Sequence, residues 1–403
     1  MRVFLILIGY LVALGCSSTD TQSTRLDSEA FVDAAVDAGG EAVDSEAPAD
    51  ASTPRAMNAG YREGVVSYTP VGAETTRELP LSIWYPTSDT EGRTALYYNL
   101  FERMDIFENA SVSLDGPAPV LLFSHGRKGF GQYSFFLTEY FAKRGWIVAA
   151  IDHVGDRFDQ EATPDDIYSL RPQDVSALID HLNALEPTDP LSGLISQDIA
   201  LSGHSFGGFT TLAVSGATFD IEVLRADCMG AWSDNAFCRN LELDDALFAM
   251  GLQDPRVKAS IPIAPGNTRL FGSGEGREGI GIGEITIPTL LITGARDRSL
   301  PDEDHGAPIW AALRGSQHRR LQFAEGGHFT FTSICSITGS LGMENGCDDS
   351  FIPLEEAHEI VNRYTMAFLM RHFFSDESGA AILDGEEAPP AGVFIQLKES
   401  DDE

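Results

Sequence analysis

The chain has 403 residues, of which 43% are hydrophobic, and this is enough to build the core of one large or two ordinary domains. Its 61 acidic and 27 basic side chains give a formal net charge of −34. A surface this acidic repels phosphate backbones, so the composition argues against nucleic acid as a partner.

The start of the chain predicts an export signal, residues 1–15. Arg2 precedes an apolar run, residues 3–14, that is too short to span a bilayer as a permanent helix. The segment Val12-Ala13-Leu14-Gly15-Cys16 resembles a bacterial lipoprotein cleavage box, although Ala13 stands where such boxes usually have Leu. The resemblance implies that Cys16 is the lipidated first residue of the mature chain and its membrane anchor. A plain signal peptide is the alternative.

Two acidic segments that are poor in large apolar residues flank the predicted domain. Residues 16–57 are predicted to be a disordered tether, and residues 377–403 a disordered acidic tail, because neither can bury enough apolar surface to fold. The folded domain is therefore expected to span residues 58–376.

The chain contains five cysteines, and four remain when Cys16 is set aside for the lipid. Three pairings of these four are possible. We favour the local bonds Cys228–Cys238 and Cys335–Cys347, because each closes a short loop and would add ~2–3 kcal/mol of stability in an oxidising compartment. A metal site is the alternative, but no C-x-x-C spacing or neighbouring histidine supports it.

From residue 61 onward, strand and helix patterns alternate. Strands are predicted at 64–68, 79–85, 119–124, 146–151, the run before Ser205, 257–262, 289–293 and 320–323, and helices at 133–143, 171–185 and 355–374. Residues 88–117 read as an irregular loop with a short helix, and residues 215–254 as a small inserted cap. The order predicts an α/β fold with a mostly parallel sheet of about eight strands flanked by helices.

The stretch Gly203-x-Ser205-x-Gly207 has the pattern of a nucleophile elbow. An apolar strand leads into it, and a helix-like run, residues 209–214, follows at once. The turn is so tight that bulky side chains two positions either side of Ser205 would collide with their neighbours, which explains both glycines. The sequence therefore predicts Ser205 as a nucleophile at the start of a helix, where backbone N–H groups favour an anion.

A serine hydroxyl needs a base within hydrogen-bond reach, and the chain offers nine histidines. His328 follows the last predicted strand in a glycine-rich loop, so it lies at the same carboxyl edge of the sheet as Ser205. His153 also follows a strand and is the rival base, and His125 is expected to lie behind the site. His204 is next to Ser205 in sequence and would point away from it.

The acid of the site has to hold the base in one tautomer. Asp297 follows the strand at 289–293, and the order Ser205, Asp297, His328 is that of α/β-hydrolase triads. The loop after the preceding strand, residues 263–266, contains no carboxylate. Other acidic residues are expected to be solvated (Asp302 and Asp304) or to bind loop backbone (Asp152 and Asp156).

Charge that develops on a carbonyl oxygen requires two backbone donors. The N–H of Phe206, directly after the nucleophile, is predicted to be one of them. The other is expected from the loop after the third strand, residues 123–129, where Arg127 follows a His-Gly pair.

The motif Gly203-His204-Ser205-Phe206-Gly207-Gly208, together with Phe123-Ser124-His125-Gly126, resembles the α/β-hydrolase superfamily. The dienelactone-hydrolase-like and platelet-activating-factor acetylhydrolase-like branch is the most similar, and Arg171-Pro172-x-Asp174-Val175 is a further shared motif. The resemblance covers roughly residues 60–375 and implies an α/β-hydrolase fold with hydrolase chemistry.

The sequence departs from both named families. The acetylhydrolases have the triad acid after the strand that follows the nucleophile helix, where this chain has Ala264-Pro265. This departure favours the dienelactone-like arrangement, with Asp297 as acid. Dienelactone hydrolases use a cysteine nucleophile, and Ser205 in its place points to ordinary carboxylic esters.

Taken together, the sequence predicts an exported serine ester hydrolase, a monomer in the bacterial cell envelope or outside it. It would hydrolyse small-molecule or lipid esters with short acyl groups through an acyl-enzyme, with no metal or organic cofactor. The alternatives are a phospholipid esterase, a polyester hydrolase, an amidase or peptidase, and a non-catalytic binding protein on a hydrolase scaffold.

Overall fold

The structure is a computed structural model that describes residues 57–399 except 231, 232, 234, 267, 273–278 and 339–344. The predicted signal (1–15), the lipidation of Cys16 and all but the last residue of the predicted tether lie outside the described residues. Within this part of the chain, no helix is long and apolar enough to cross a membrane.

One sheet organises the described chain. Its eleven strands lie in the order β11-β10-β9-β8-β7-β5-β6-β2-β1-β4-β3. The strands are β1 (Asn58–Tyr68), β2 (Arg77–Thr87), β3 (Thr94–Tyr97), β4 (Phe101–Glu108), β5 (Ala118–Ser124), β6 (Ile147–Ile151), β7 (Ile195–His204), β8 (Val257–Ile263), β9 (Leu290–Gly294), β10 (Arg319–Phe323) and β11 (Val393–Leu397).

The six central strands β5 to β10 are parallel to one another, whereas β2 pairs antiparallel with β6 and β11 with β10. Strand β6 is buried at every position, as a strand covered on both faces requires. Because the central strands are parallel, their carboxyl ends meet at one edge of the sheet, and the predicted site residues follow these ends.

Helices cover both faces of the sheet. They are α1 (Phe135–Ala142), α2 (Ile167–Asn183), α3 (Phe206–Val214), α4 (Ile221–Met229), α5 (Ala236–Met250), α6 (Gly306–Ala312), α7 (Ile334–Thr338), α8 (Leu354–Phe374) and α9 (Ala380–Leu383). The alternation within β5 separates two cores: Leu121 and Phe123 pack with α1 and α8 on one face, whereas Val120 and Leu122 pack with α2 on the other.

The prediction for residues 88–117 was wrong, because strands β3 and β4 form a hairpin there. The sequence of β4, with Glu102, Arg103 and Asp105, lacks the apolar alternation of a strand. Its order comes from tertiary contacts instead. Arg103 donates to both carboxylate oxygens of the buried Glu139 on α1, each at 2.8 Å, and β4 also pairs in parallel with β1.

The predicted disordered tail from residue 377 is also corrected. Residues 380–383 form α9, and β11 pairs with β10 along its whole length. The composition suggested too little apolar surface to fold, but the segment is also held by polar contacts, since Asp384 accepts hydrogen bonds from Arg319 and Arg371 of the domain. These arginines lower the pKa of Asp384 below its usual range. The folded domain therefore extends to Leu397, and the sheet has three strands beyond the predicted eight: β3, β4 and β11.

The insertion between α3 and β8 consists of α4 and α5, and the predicted disulfide Cys228–Cys238 joins these helices. Phe237 of α5 packs on Tyr168 at the start of α2, with ring centres 5.4 Å apart. Tyr168 in turn packs on Phe206, at 4.8 Å. The ring of Tyr168 thus lies between the insertion and Phe206 of the elbow and contacts both. The second predicted disulfide, Cys335–Cys347, is also present.

Candidate active site

Ser205 occupies a sharp turn between β7 and α3. Its backbone has φ 58° and ψ −115°, a conformation that residues other than glycine rarely adopt. Hydrogen bonds from both sides of the residue hold it there: its N–H donates to Ile263 at 2.9 Å, and its carbonyl accepts from Gly208 at 2.9 Å. The turn places Ser205 at the carboxyl edge of the sheet, as the elbow pattern predicted.

The glycines around Ser205 sit where no side chain fits. A Cβ on Gly203 would lie 2.3 Å from the carbonyl oxygen of Gly207, and a Cβ on Gly207 would lie 1.9 Å from the carbonyl oxygen of Ser124. These distances are far inside van der Waals contact with backbone atoms that cannot rotate away. The glycines therefore let α3 approach the strands β5 and β7 closely enough to form the elbow.

Gly207→Ala is accordingly expected to prevent folding or to lower the yield of soluble protein severely, because an overpacked core has to shift backbone. Gly116→Ala is the matched control, since no atom lies within 4 Å of the added methyl group. Soluble yield and thermal unfolding of both variants check the prediction. Wild-type stability of Gly207→Ala would contradict the close packing described here.

His328 and Asp297 are joined directly, although they lie on different loops. The Nδ1 of His328 donates to Oδ2 of Asp297 at 2.6 Å. The other oxygen of Asp297, Oδ1, accepts the backbone N–H groups of Ser299 and Leu300 at 2.8 and 2.9 Å. Burial alone would raise the pKa of Asp297, but the hydrogen bond from His328 and these N–H groups outweigh it and hold the pKa below its usual range.

His204 ties the elbow to the loop of His328. Its Nε2 donates to the carbonyl of His328 at 2.8 Å, so its Nδ1 is left to accept the short hydrogen bond from the hydroxyl of Tyr133. Burial lowers the pKa of His204 to about 3, which keeps the ring neutral. The rings of His204 and His328 are 4.6 Å apart. Both ring nitrogens of His204 are thus engaged, and the side chain connects the elbow to the loop of His328.

Asn345 connects the loops of the acid and the base. Its side-chain oxygen accepts the N–H groups of His328 and Arg298 at 3.2 and 3.1 Å, and its Nδ2 donates to Ser299 Oγ at 2.9 Å. Cys347, two residues later, is in the second disulfide. Sequence reasoning missed both Asn345 and Tyr133, because neither belongs to a motif or follows a central strand.

Within the described residues, neither Ser205 Oγ nor His328 Nε2 has a hydrogen-bond partner. In proteins without substrate, the bond between nucleophile and base is commonly long and tightens on binding. His328 therefore presents a free ring nitrogen beside the elbow, while its other nitrogen is fixed by Asp297.

The residues of the two predicted oxyanion donors, Phe206 and Arg127, are also in contact. In the described chain, no protein group accepts the backbone N–H of Phe206 or that of Arg127. The guanidinium of Arg127 lies over the ring of Phe206, 4.7 Å from its centre. A Cβ on Gly126 would lie 3.3 Å from the Cβ of Ser205, so the loop before Arg127 passes directly beside the serine.

The rival residues are engaged elsewhere. The ring of His153 is completely buried and is bonded to Ser124 Oγ at 2.9 Å and to Asp174 at 2.8 Å. Burial lowers the pKa of His125 and His153 well below the usual range. Among the other carboxylates, Asp302 binds Arg320, Asp152 accepts the N–H of Gly131 at 2.7 Å, and Asp156 binds Arg171.

The buried histidines predict that stability falls in mild acid. The folded pKa values of His125, His153, His204 and His358 lie below the usual value of about 6.5, so the unfolded chain takes up protons first and stability is lost as pH falls from about 6.5 toward 4. Burial lowers the pKa of His358 to about 4, as it lowers that of His204. Each fully buried histidine is expected to cost about 1.4 kcal/mol per pH unit in this window.

Urea unfolding at a series of pH values measures this loss. Carboxylates such as Asp297 with lowered pKa values add their own loss only below about pH 4, so the two windows are separate. His358→Gln should make the loss shallower, because glutamine does not take up a proton in this pH range. The fold should be kept, since the amide can still donate to the carbonyl of Thr332 that His358 Nε2 now contacts. A free energy of unfolding that is constant between about pH 7 and 5 would contradict the prediction.

In the part of the chain that the structure describes, no group of three His, Cys, Asp or Glu side chains is arranged to hold a metal ion. Both Cys pairs are in disulfides. A hydroxyl, an imidazole bonded to a carboxylate and unpaired backbone N–H groups are the kinds of group that can perform nucleophilic attack, proton transfer and stabilisation of an oxyanion.

Comparison with known proteins supports the fold. No protein-family model matches the sequence, and no curated protein matches it. Among solved structures, a ferulic acid esterase from Streptomyces cinnamoneus is similar with a TM-score of 0.56 and 20% sequence identity, over 88% of this chain and 98% of that one. With its mostly parallel sheet covered by helices on both faces, the chain has the α/β-hydrolase fold.

Proposed function

We propose that this protein is a serine hydrolase of carboxylic esters with Ser205 as nucleophile, His328 as base and Asp297 as acid. The observation that carries the proposal is the bond of 2.6 Å between His328 and Asp297 beside a serine in strained elbow geometry. Strained backbone is tolerated where it presents a reacting group, and the three residues come from the ends of three parallel strands.

In the proposed reaction, Ser205 Oγ attacks the ester carbonyl and its proton passes to His328 Nε2. Asp297 stabilises the imidazolium through the bond to Nδ1, and the N–H groups of Phe206 and Arg127 bind the oxyanion. Collapse of the tetrahedral intermediate releases the alcohol, which takes the proton from His328. Water activated by His328 then hydrolyses the acyl-enzyme. Each step uses only groups of this chain and water.

We propose small esters with short acyl groups as substrates. The cap formed by α4 and α5 is stapled by Cys228–Cys238 and contacts Phe206 through Tyr168, so it would limit the space around the acyl group. The similar fold of a ferulic acid esterase adds hydroxycinnamate esters as a class worth testing. Phospholipid, polyester and amide substrates remain alternatives without a specific contact in their favour.

The two disulfides indicate an oxidising compartment, which fits an exported protein. We further propose that Cys16 is lipidated and anchors the chain to a membrane. The mass of the N-terminal peptide of protein from a membrane fraction tests this, because an unmodified Cys16 or cleavage at another residue would exclude the anchor.

The experiment for the function combines turnover with labelling. Hydrolysis of p-nitrophenyl esters from acetyl to palmitoyl, and of methyl ferulate, defines the acyl preference. A fluorophosphonate probe followed by peptide mass spectrometry identifies the reacting residue, which should be Ser205. Labelling of another residue would overturn the assignment, and turnover of anilides in preference to esters would favour an amidase.

A further inference from the structure

Arg171, the first residue of the motif Arg171-Pro172-x-Asp174-Val175, has no part in the proposed triad, yet it lies against the oxyanion loop. Its side chain is completely buried. The guanidinium sits over the ring of Phe206, 4.4 Å from the ring centre, and forms an ion pair of 2.8 Å with Asp156. Burial lowers the pKa of Arg171 to about 10, so the group stays charged at neutral pH.

The guanidinium also binds two consecutive carbonyls of the oxyanion loop. Its Nη1 donates to the carbonyl of His125 at 2.6 Å, and its Nη2 donates to that of Gly126 at 3.1 Å. Asp156 completes the arrangement, because its other oxygen accepts the N–H of Lys128 at 3.4 Å. Three consecutive peptide groups of the loop are therefore held from the same side.

Peptide geometry turns these contacts into an orientation. In a trans peptide the carbonyl and the following N–H point in opposite directions, and the described chain has no cis peptide. The carbonyl of Gly126 accepts hydrogen bonds from Arg171 at 3.1 Å, from His125 Nδ1 at 2.7 Å and from the N–H of Gly129 at 3.1 Å. With this carbonyl held on the side of Arg171, the N–H of Arg127 has to point away from it. The loop also lies beside the nucleophile, because a Cβ added to Gly126 would be 3.3 Å from the Cβ of Ser205.

We propose that Arg171, held by Asp156, is a positioning residue that turns the N–H of Arg127 toward the oxyanion of the reaction. This inference rests on the proposed function, since it assigns an origin to one of its two oxyanion donors. A guanidinium suits the role because its planar fork can serve two carbonyls and a carboxylate together, whereas a lysine ammonium is a point charge on a flexible stem.

The test compares Arg171→Lys with Arg319→Lys. Arg319 is a suitable control because its guanidinium also donates to two carbonyls, of Leu383 and Ser316, and to a carboxylate, Asp384. It lies at the start of β10, whereas the active-site residue His328 follows the end of this strand. Arg171→Lys is expected to lower kcat by roughly 10²–10³-fold, the usual effect of losing one oxyanion donor. KM should change little, and Arg319→Lys should keep the wild-type kcat.

A second readout follows the oxyanion itself. An alkyl boronic acid forms a tetrahedral anion on Ser205, so its affinity should fall in Arg171→Lys by about the same factor as kcat. The affinity for a neutral substrate amide should not fall. A purely structural role of Arg171 would weaken both ligands alike or neither.

Four results would overturn the inference. One is wild-type kcat in a folded Arg171→Lys. Another is equal loss for the boronic acid and the neutral amide. If Arg171→Lys does not fold, Asp156→Asn takes its place, with a smaller loss of kcat expected and an unchanged kcat counting against the inference.

If the wild type hydrolyses no ester, the proposed function fails. The crystal structure of a position-171 or position-156 variant then decides alone, because an unchanged Gly126–Arg127 peptide would reject the positioning role.

Discussion

Ser205→Ala is expected to lower kcat for ester hydrolysis by about 10⁶-fold, which leaves only the effect of binding and the oxyanion donors. Without the hydroxyl there is no nucleophile for the acyl-enzyme, and His328 has no proton to accept. The methyl group fits the space of the hydroxymethyl group, so the fold should be unchanged. The loss is measured from initial rates with a short-chain p-nitrophenyl ester, at enzyme concentrations high enough to detect the residual activity.

Ser205→Gly is the matched variant, and it separates chemistry from strain. It should be as inactive as Ser205→Ala, but glycine adopts φ 58° and ψ −115° freely, whereas alanine does not. Relief of this strain should make Ser205→Gly more stable than Ser205→Ala by about 1 kcal/mol in urea unfolding. Substantial activity in either variant would refute Ser205 as the nucleophile. Equal stability would refute a strained elbow.

Asp297→Asn is expected to lower kcat by about 10⁴-fold through the wrong tautomer of His328. The N–H groups of Ser299 and Leu300 both point at Oδ1, so the amide oxygen of the asparagine has to take this position. Its NH₂ then faces Nδ1 of His328 and donates to it. The ring proton moves to Nε2, which can no longer accept the proton of Ser205.

Asp302→Asn is the control for this variant. Asp302 is the neighbouring carboxylate and binds Arg320 through both oxygens, at 2.6 and 2.5 Å. Its replacement should reduce stability and leave kcat unchanged. Steady-state kinetics and thermal unfolding of both variants give the comparison. If Asp302→Asn lost activity and Asp297→Asn did not, the acid of the site would have to be reassigned.

The central sheet was predictable because its strands are buried on both faces. A sequence such as that of β6, with five consecutive apolar residues, is typical of a strand buried on both faces, and β5, β6 and β7 are each followed by an α-helix. The chain order of the parallel strands then brings Ser205, Asp297 and His328 to one edge. The assignment of their roles stays a proposal. The structure bonds His328 to Asp297, and Ser205 lies in the turn after β7.

The parts that the sequence did not reveal depend on contacts between distant segments. Strand β4 is ordered by the ion pair of Arg103 with Glu139, and the tail by Asp384 between two arginines. In the site, Tyr133 and Asn345 are placed by hydrogen bonds to residues far away in the sequence. No local pattern encodes such pairs, because the partners are far apart in sequence and each residue alone is typical of a surface.

The pairing of β11 with β10 also has a consequence for synthesis. Strand β10 can complete its edge only after α8 and the segment beyond it have been made, since the partner strand Val393–Leu397 comes later in the chain. During translation, and during any passage through a membrane, β10 therefore presents unpaired backbone groups of the kind that recruit other chains. A chain that stops short of Val393 would keep this edge open, so premature termination there should produce aggregation rather than a merely shortened enzyme.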